Sequence, residues 1–378
     1  MKVRASVLTK IGAVPPYAFS RPLEVEELDL DGPGPREVLL AIKAAGLCHS
    51  DLSAIDGTRP PERTPLPMIL GHEAVGEVLD VGRGVSDLKP GDRVVTTFVP
   101  SCGHCVPCME GRPALCEPAP RYSAAGTLAT GGTRFRRGAH AVHHYVGVAA
   151  FAEKTVMVRD SLVKIDADVP IEAAALVGCA VLTGVGAVLN TARVKAGESV
   201  AVIGLGGVGL SALLGARLAG AFPIVAVDVN EDKLRLAADL GATFTVRADL
   251  PDVVAAIRDA TDGGVHYAFE TAGVTQALDV AYRVTRRGGT TVVAGLPAGN
   301  IAMPISHASL VAEERTLKGS YFGSCVPVRD VPRLIRAYQS GRLPIDRIAG
   351  ATVALDGMNE AFDTLAAGIT VRQVLVPA

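Results

Sequence analysis

Four of the seven cysteines in this 378-residue chain, Cys102, Cys105, Cys108 and Cys116 in "CGHCVPCMEGRPALC", stand at C-x2-C-x2-C-x7-C spacing. Four soft thiolates this close in sequence can close a tetrahedral shell around one zinc ion without help from distant chain. A closed shell leaves no open position, so the metal predicted there is structural and would pin a Gly/Pro-rich lobe at about 100–118 that has little core of its own. His104 lies inside the cluster but is not needed while four thiolates suffice. A second stretch, "GLCHSDLSAIDG" at 46–57, puts Cys48 and His49 side by side with Ser50 and Asp51 following. Taken alone, Cys48 could be a buried small hydrophobe, a nucleophile, or one ligand of a metal whose other ligands lie far along the chain. A catalytic zinc needs about three protein ligands and one open position. Cys48, Cys179 and Cys325 are the remaining thiols, and "GHE" at 71–73 supplies His72 just ahead of an apolar run. Cys325 has no comparable context and reads as a buried thiol. Spacing alone does not bring residues 48, 72 and 179 together.

A third motif is glycine-based. Gly204, Gly206 and Gly209 form G-x-G-x-x-G directly after the apolar run "SVAVI" and at the start of an Ala/Leu-rich segment, and Asp228 follows nineteen residues past Gly209. In that context the motif predicts a dinucleotide site, because a pyrophosphate needs close backbone approach and the free N–H groups of a helix start. Asp228 would accept from both ribose hydroxyls. A 2′-phosphate would meet its carboxylate with no Arg or Lys immediately after it, so NAD is expected over NADP.

These residues need elements to hold them. Up to about residue 160 short β-branched runs alternate with Gly and Pro, as in "EVLLAIKAAG", "AVGEVLDVG" and "DRVVTTFVP", which predicts antiparallel strands joined by turns. Val38, Leu40, Ile42 and Ala44 alternate, so one face of that strand is expected to be buried, and its end delivers Cys48 to a loop. From about 181 strand-like and helical runs alternate, which is the punctuation of a parallel sheet covered by helices. After about 321, "VRDVPRLIRAYQSG" reads as an amphipathic helix and "TVRQVLVP" as a last strand. The expected fold class is α/β, with domains at 1–180, 181–321 and 322–378, the last returning to the first.

Composition agrees with two packed domains: 49% of residues are apolar and 20% charged. With 37 basic against 39 acidic residues there is no surplus to neutralise phosphate backbones, so nucleic acid is not an expected partner. The start "MKVRASVLTK" lacks a signal-peptide pattern, and no run of eighteen uncharged apolar residues is read as a membrane span. A soluble cytoplasmic protein is expected, in whose reducing compartment clustered thiols bind metal rather than form disulfides.

The stretches "GLCHSD", "LGHEAVGEV", "PSCGHCVPC", "GCAVLTGVGAVLN", "GLGGVGL", "VDVNEDKLRLAADLGAT" and "TVRQVL" together resemble the zinc-dependent medium-chain alcohol dehydrogenases, in order and spacing over nearly the whole chain. The segment from "GTRF" to "VHHYVGVAAFAE" further resembles the longer branch of liver-type and glutathione-dependent formaldehyde dehydrogenases. The resemblance implies a GroES-like, mainly antiparallel β catalytic domain interrupted by a Rossmann doubly wound parallel sheet. It also implies a homodimer or homotetramer formed through the cofactor domains.

Position by position, the resemblance implies that Cys48, His72 and Cys179 ligate a catalytic zinc, with Glu73 behind it, and that Asp51 holds the ring N–H of His72. Lys233 would join Asp228 at the ribose. Gly207 lies within the phosphate loop, Val208 and Thr183 would face the nicotinamide, and His49 and Arg372 the pyrophosphate. The implied reaction is reversible hydride transfer between a primary alcohol and NAD, with Ser50 as the first proton acceptor. Two departures stand out: Ser53 occupies a position where many relatives have a relay histidine, and His49 one where arginine is common. Phe98 and Tyr145 fall where the family places aromatic substrate walls, so an apolar or aryl alcohol is expected. A carrier-thiol adduct such as S-hydroxymethyl-thiol is the runner-up substrate, weakened because Arg59 stands where that branch uses an acid. His140, His143 and His144 read as loop or pocket-wall residues. Two rival classes remain at this stage: a zinc-ribbon interaction protein would explain only 102–116, and a metal-free or silent NAD-binding relative would keep only the glycines.

Overall fold

The computed structural model describes residues 1–166, 168–297, 299 and 301–377. The chain divides into two units, one of Met1–Cys179, Val326–Gln339 and Ile345–Ala378, the other of Ala180–Cys325 and Ser340–Pro344. A short piece of the tail, Ser340–Pro344, belongs to the second unit.

The first unit is built on strands. Lys2–Leu8, Leu23–Leu30, Phe135–Arg137, His140–His144 and Met68–Ile69 close a small barrel. A second sheet runs Leu162–Ile165, Arg93–Thr96, Ala74–Val81, Glu37–Gly46, Val374–Leu375, Thr352–Val353, with Lys154–Val158 also paired to Glu37–Gly46. Glu37–Gly46 is thus a central strand, and Leu39 is buried along with Val38, Leu40 and Ile42 because structure covers both of its faces. Bulges at Leu39/Leu40 and Ile42/Ala44 break the alternation read from the sequence. The three histidines lie on a barrel strand rather than in a loop, and His144 is fully buried. The final strand is only Val374–Leu375, while the amphipathic segment forms Pro327–Gln339 with Val331, Leu334 and Ile335 inward.

The second unit holds a six-stranded parallel sheet in the order Phe244–Arg247, Ile224–Asp228, Val200–Ile203, Val265–Glu270, Thr285–Val293, Thr316–Gly319. This is the doubly wound order whose switch point falls beside the first strand, where ligands bind at strand C-termini. The helical run Ile171–Ala192 does satisfy the length and composition of a membrane span. However, 89% of its apolar window is buried within the protein, as in a core helix.

Candidate active site

Strand register brings the first two candidate ligands together. Ala45 pairs with Ala74 on antiparallel strands, and Gly46 N–H donates to the Glu73 carbonyl at 2.7 Å. Residues just beyond Gly46 and just before Ala74 therefore emerge side by side. Cys48 is the N-cap of helix His49–Ile55, while His72 and Glu73 lie in the extended lead into Ala74–Val81. The third arrives on a helix. A Cβ on Gly178 would stand 2.3 Å from the Thr96 carbonyl oxygen, so only glycine lets this run pack on strand Arg93–Thr96. Cys179 follows within a π-helical turn, Val177–Val181, a distortion common where a helix re-aims a functional side chain.

The ligand atoms of Cys48, His72, Glu73 and Cys179 lie within 4.8 Å of one another, and all four residues are buried. Two sulfurs, an imidazole and a carboxylate form a donor set that zinc accepts. By themselves the two thiols cannot both ionise. The Cys179 thiol bonds to the Cys48 sulfur, which holds Cys48 well below the usual thiol range and pushes Cys179 well above it. A divalent cation is the natural resolution of that conflict.

Around the cluster, Asp51 is fully buried and accepts from Cys48 N–H at 3.1 Å and Gly71 N–H at 3.0 Å, with His72 Nδ1 at 3.2 Å. Burial opposes charge on His72, but Asp51 beside it raises its pKa well above the ordinary range. The contact fixes a proton on Nδ1, so that Nε2 is the ring atom that would ligate a metal. Glu73 is paired with Arg372 Nη2 at 3.0 Å, close enough for an ion pair though not aligned as a hydrogen bond, while Arg372 Nη1 donates to the Leu47 carbonyl at 2.9 Å. Ser50 Oγ lies 3.8 Å from Cys48 Sγ, and Ser53 Oγ donates to the His49 carbonyl at 2.9 Å. His49 itself is exposed. Phe98 and Tyr145 meet the His72 ring edge-on at 5.6 and 5.7 Å, and Tyr145 O–H donates to the Ser50 carbonyl at 2.7 Å.

Cys102, Cys105, Cys108 and Cys116 form a second group with sulfurs within 4.8 Å. Backbone N–H groups already point at it: Cys105 N–H donates to Cys102 Sγ and Cys102 N–H to Cys116 Sγ, both at 3.3 Å. Burial pushes Cys108 up to about 12, whereas backbone donors, outweighing the opposing burial cost, bring Cys105 down to about 7. Four sulfurs so placed form a donor set that zinc accepts. His104 is exposed, with Nδ1 at 2.8 Å from the Cys102 carbonyl.

In the second unit Gly204 has φ +95° and a Cβ on it would strike Ala272, while a Cβ on Gly209 would stand 1.8 Å from the Gly204 oxygen. Gly206, the N-cap of helix Gly207–Leu218, faces open space and no side chain caps the helix start. This cradle can take an anion on its free N–H groups. Asp228 accepts from Leu205 N–H at 2.6 Å and Asn230 N–H at 2.9 Å, which holds the acid beside the loop. Lys233 is half-buried, Thr183 buried, and Val208 half-buried with its carbonyl so near Gly184 that a Cβ there would sit 2.2 Å away. Cys325 is buried and its thiol donates to the Leu182 carbonyl at 3.1 Å. Sequence reading missed Glu270 and Thr271. Glu270 accepts from Ala272 and Gly273 N–H, and Thr271 Oγ1 donates to the Gly204 carbonyl at 2.6 Å, which braces the glycine turn. Their only signal is an acid and a hydroxyl at the end of the fourth apolar run, "YAFET".

Comparison with known proteins places this geometry in a family. Residues 34–167 match the alcohol dehydrogenase GroES-like domain and residues 207–340 the zinc-binding dehydrogenase domain. The chain is 38% identical over 381 residues to "Putative alcohol dehydrogenase D" of Mycobacterium tuberculosis, with 100% of each covered. Among solved structures, benzyl alcohol dehydrogenase from Acinetobacter calcoaceticus is 33% identical with a TM-score of 0.92, covering 100% of both chains. An alcohol dehydrogenase zinc-binding domain protein from Burkholderia ambifaria is 35% identical with a TM-score of 0.93, covering 100% of this chain and 99% of that one. The chain belongs to the zinc-dependent medium-chain alcohol dehydrogenase family and is an oxidoreductase acting on alcohols.

Proposed function

We propose that this enzyme interconverts a primary alcohol, apolar or aryl, and its aldehyde, with NAD as cofactor and two zinc ions per chain. The observation that carries the reading is the buried cluster of Cys48, His72, Glu73 and Cys179, assembled from three remote segments with ligand atoms within 4.8 Å. Cys48, His72 and Cys179 would hold one ion, with Glu73 nearby, and Cys102, Cys105, Cys108 and Cys116 the other. Bound there, zinc supplies a Lewis acid that draws a hydroxyl pKa from roughly 16 toward ~7, and NAD supplies the hydride acceptor.

The remaining work belongs to the chain. Asp51 keeps the His72 tautomer that presents Nε2. Ser50, beside Cys48, takes the hydroxyl proton. Ser53 has its own proton committed to the His49 carbonyl, so exposed His49 is the better outlet to solvent. Gly204, Gly206, Gly207 and Gly209 cradle the pyrophosphate on the backbone N–H groups of their turn. Asp228 and Lys233 hold the ribose, and the carboxylate disfavours a 2′-phosphate. Val208 and Thr183 face the nicotinamide. Phe98 and Tyr145 flank the place of the substrate, and their rings favour an aryl group, as does the benzyl alcohol specificity carried in the name of the Acinetobacter relative. The test joins metal analysis to a substrate panel. Two zincs per chain and NADH formation from benzylic primary alcohols are expected. A fully metallated protein that reduces NADP in preference to NAD, or oxidises no primary alcohol, would overturn the reading.

A further inference from the structure

We infer that Arg59 is a second recognition point for the substrate, selecting aryl primary alcohols that carry a carboxylate at the end remote from the hydroxyl. This deepens the proposed alcohol oxidation at the Cys48, His72 and Cys179 cluster and rests on it. The guanidinium carbon of Arg59 stands 5.0 Å over the centre of the Tyr145 ring, and that ring meets His72 edge-on at 5.7 Å. Arg59 is therefore two ring spacings from a candidate metal ligand. Tyr145 cannot swing away, because it is 2% exposed and its hydroxyl is tied to the Ser50 carbonyl.

Arg59 makes no ion pair among the described residues. It is half-buried, and its head donates only to the Arg63 carbonyl at 3.2 Å and, at the limit of hydrogen bonding, to Ser123 Oγ at 3.5 Å. Among the described residues no carboxylate lies within ion-pair reach. Three other partly or fully buried arginines of the same unit are matched by acids: Arg134 with Glu37, Arg159 with Asp87, Arg372 with Glu73. Of the acids nearest in sequence, Asp56 is engaged with the amide and hydroxyl of Thr58, and Glu62, exposed on the turn Pro61–Arg63, makes no ion pair with Arg59. A half-desolvated guanidinium with unused donors is costly unless an anion arrives, and a carboxylate matches its planar fork. Contact with the Tyr145 face offsets part of that cost.

The experiment compares 4-(hydroxymethyl)benzoate with its methyl ester in wild type, Arg59→Gln and Arg59→Lys. Wild type is expected to favour the carboxylate in kcat/KM by about tenfold or more, chiefly through KM, with the ratio falling to about one in Arg59→Gln and lying between in Arg59→Lys. Equal kcat/KM for acid and ester in wild type would overturn the inference. So would an Arg59→Gln variant that loses both equally, which is the signature of a mere brace for Tyr145. A calorimetric arm measures binding of 4-methylbenzoate, which has no hydroxyl to oxidise, to the metal-loaded proteins. If no alcohol is turned over, the dehydrogenase reading falls, yet weaker binding to Arg59→Gln by about tenfold still supports the anion site and equal binding overturns it.

Discussion

Asp51 decides more about the metal cluster than its position beside Cys48 implies. Its two oxygens take a backbone N–H from each strand end that carries a candidate ligand, Cys48 and Gly71, and meet the His72 ring as well. Only a carboxylate can accept all three, because an amide would aim its NH2 at an N–H donor. Asp51→Asn should therefore weaken zinc at this cluster by about 10–100-fold and destabilise the first unit by about 1–3 kcal/mol. Metal analysis after mild chelation checks it: two zincs per chain in wild type and about one in the variant, with the four-cysteine site still loaded. Equal retention of both ions would refute the role given to Asp51.

At the scale of elements, three devices build the site: a strand register, a helix admitted by Gly178, and the barrel strand His140–His144, which leads directly into Tyr145. That strand holds a buried network. The carboxylate of Glu37 is fully buried and receives Arg134 Nε at 2.7 Å, Arg134 Nη2 at 2.8 Å and Gly34 N–H at 2.7 Å, while His144 Nε2 accepts from Arg134 N–H at 3.1 Å. Burial pushes the His144 ring down to about 3, so the folded protein keeps it neutral. Below its unfolded pKa near 6.5 the unfolded chain binds a proton that the folded chain refuses. Stability from this residue is thus complete above that pH and declines as pH falls toward 3. Between pH 6.5 and 5.5 the loss should be about 1 kcal/mol. Urea unfolding of wild type and His144→Gln over that interval tests it, and identical pH slopes would refute it. The sequence hid this histidine among three because its burial depends on which face of a short barrel strand it occupies.

For the whole molecule, the candidate metal ligands all belong to the first unit and the glycine loop to the second. Their loads should therefore separate under mutation. Gly206 is the useful probe, since a Cβ there meets nothing and its φ of −74° is open to any residue. Gly206→Ala should fold with an unchanged melting temperature and two zincs, yet bind NADH about tenfold or more weaker, because the methyl occupies the approach of the pyrophosphate. Undiminished NADH binding, measured by fluorescence titration, would remove the loop from the proposed cofactor site.

Residue order alone determined the local chemistry of this protein. Clustered thiols, a glycine turn between strand and helix, and the change of texture near 181 are short-range patterns, written in neighbouring residues, and so they survive without a fold. Tertiary structure decided everything that depends on meeting. Cys48 and His72 converge because Ala45 pairs with Ala74, and Cys179 joins them because Gly178 lets a helix touch the Thr96 backbone. It also paired Arg372 with Glu73 and set Arg59 over the Tyr145 ring. Such contacts are set by register, helix approach and burial, which sequence spacing does not encode.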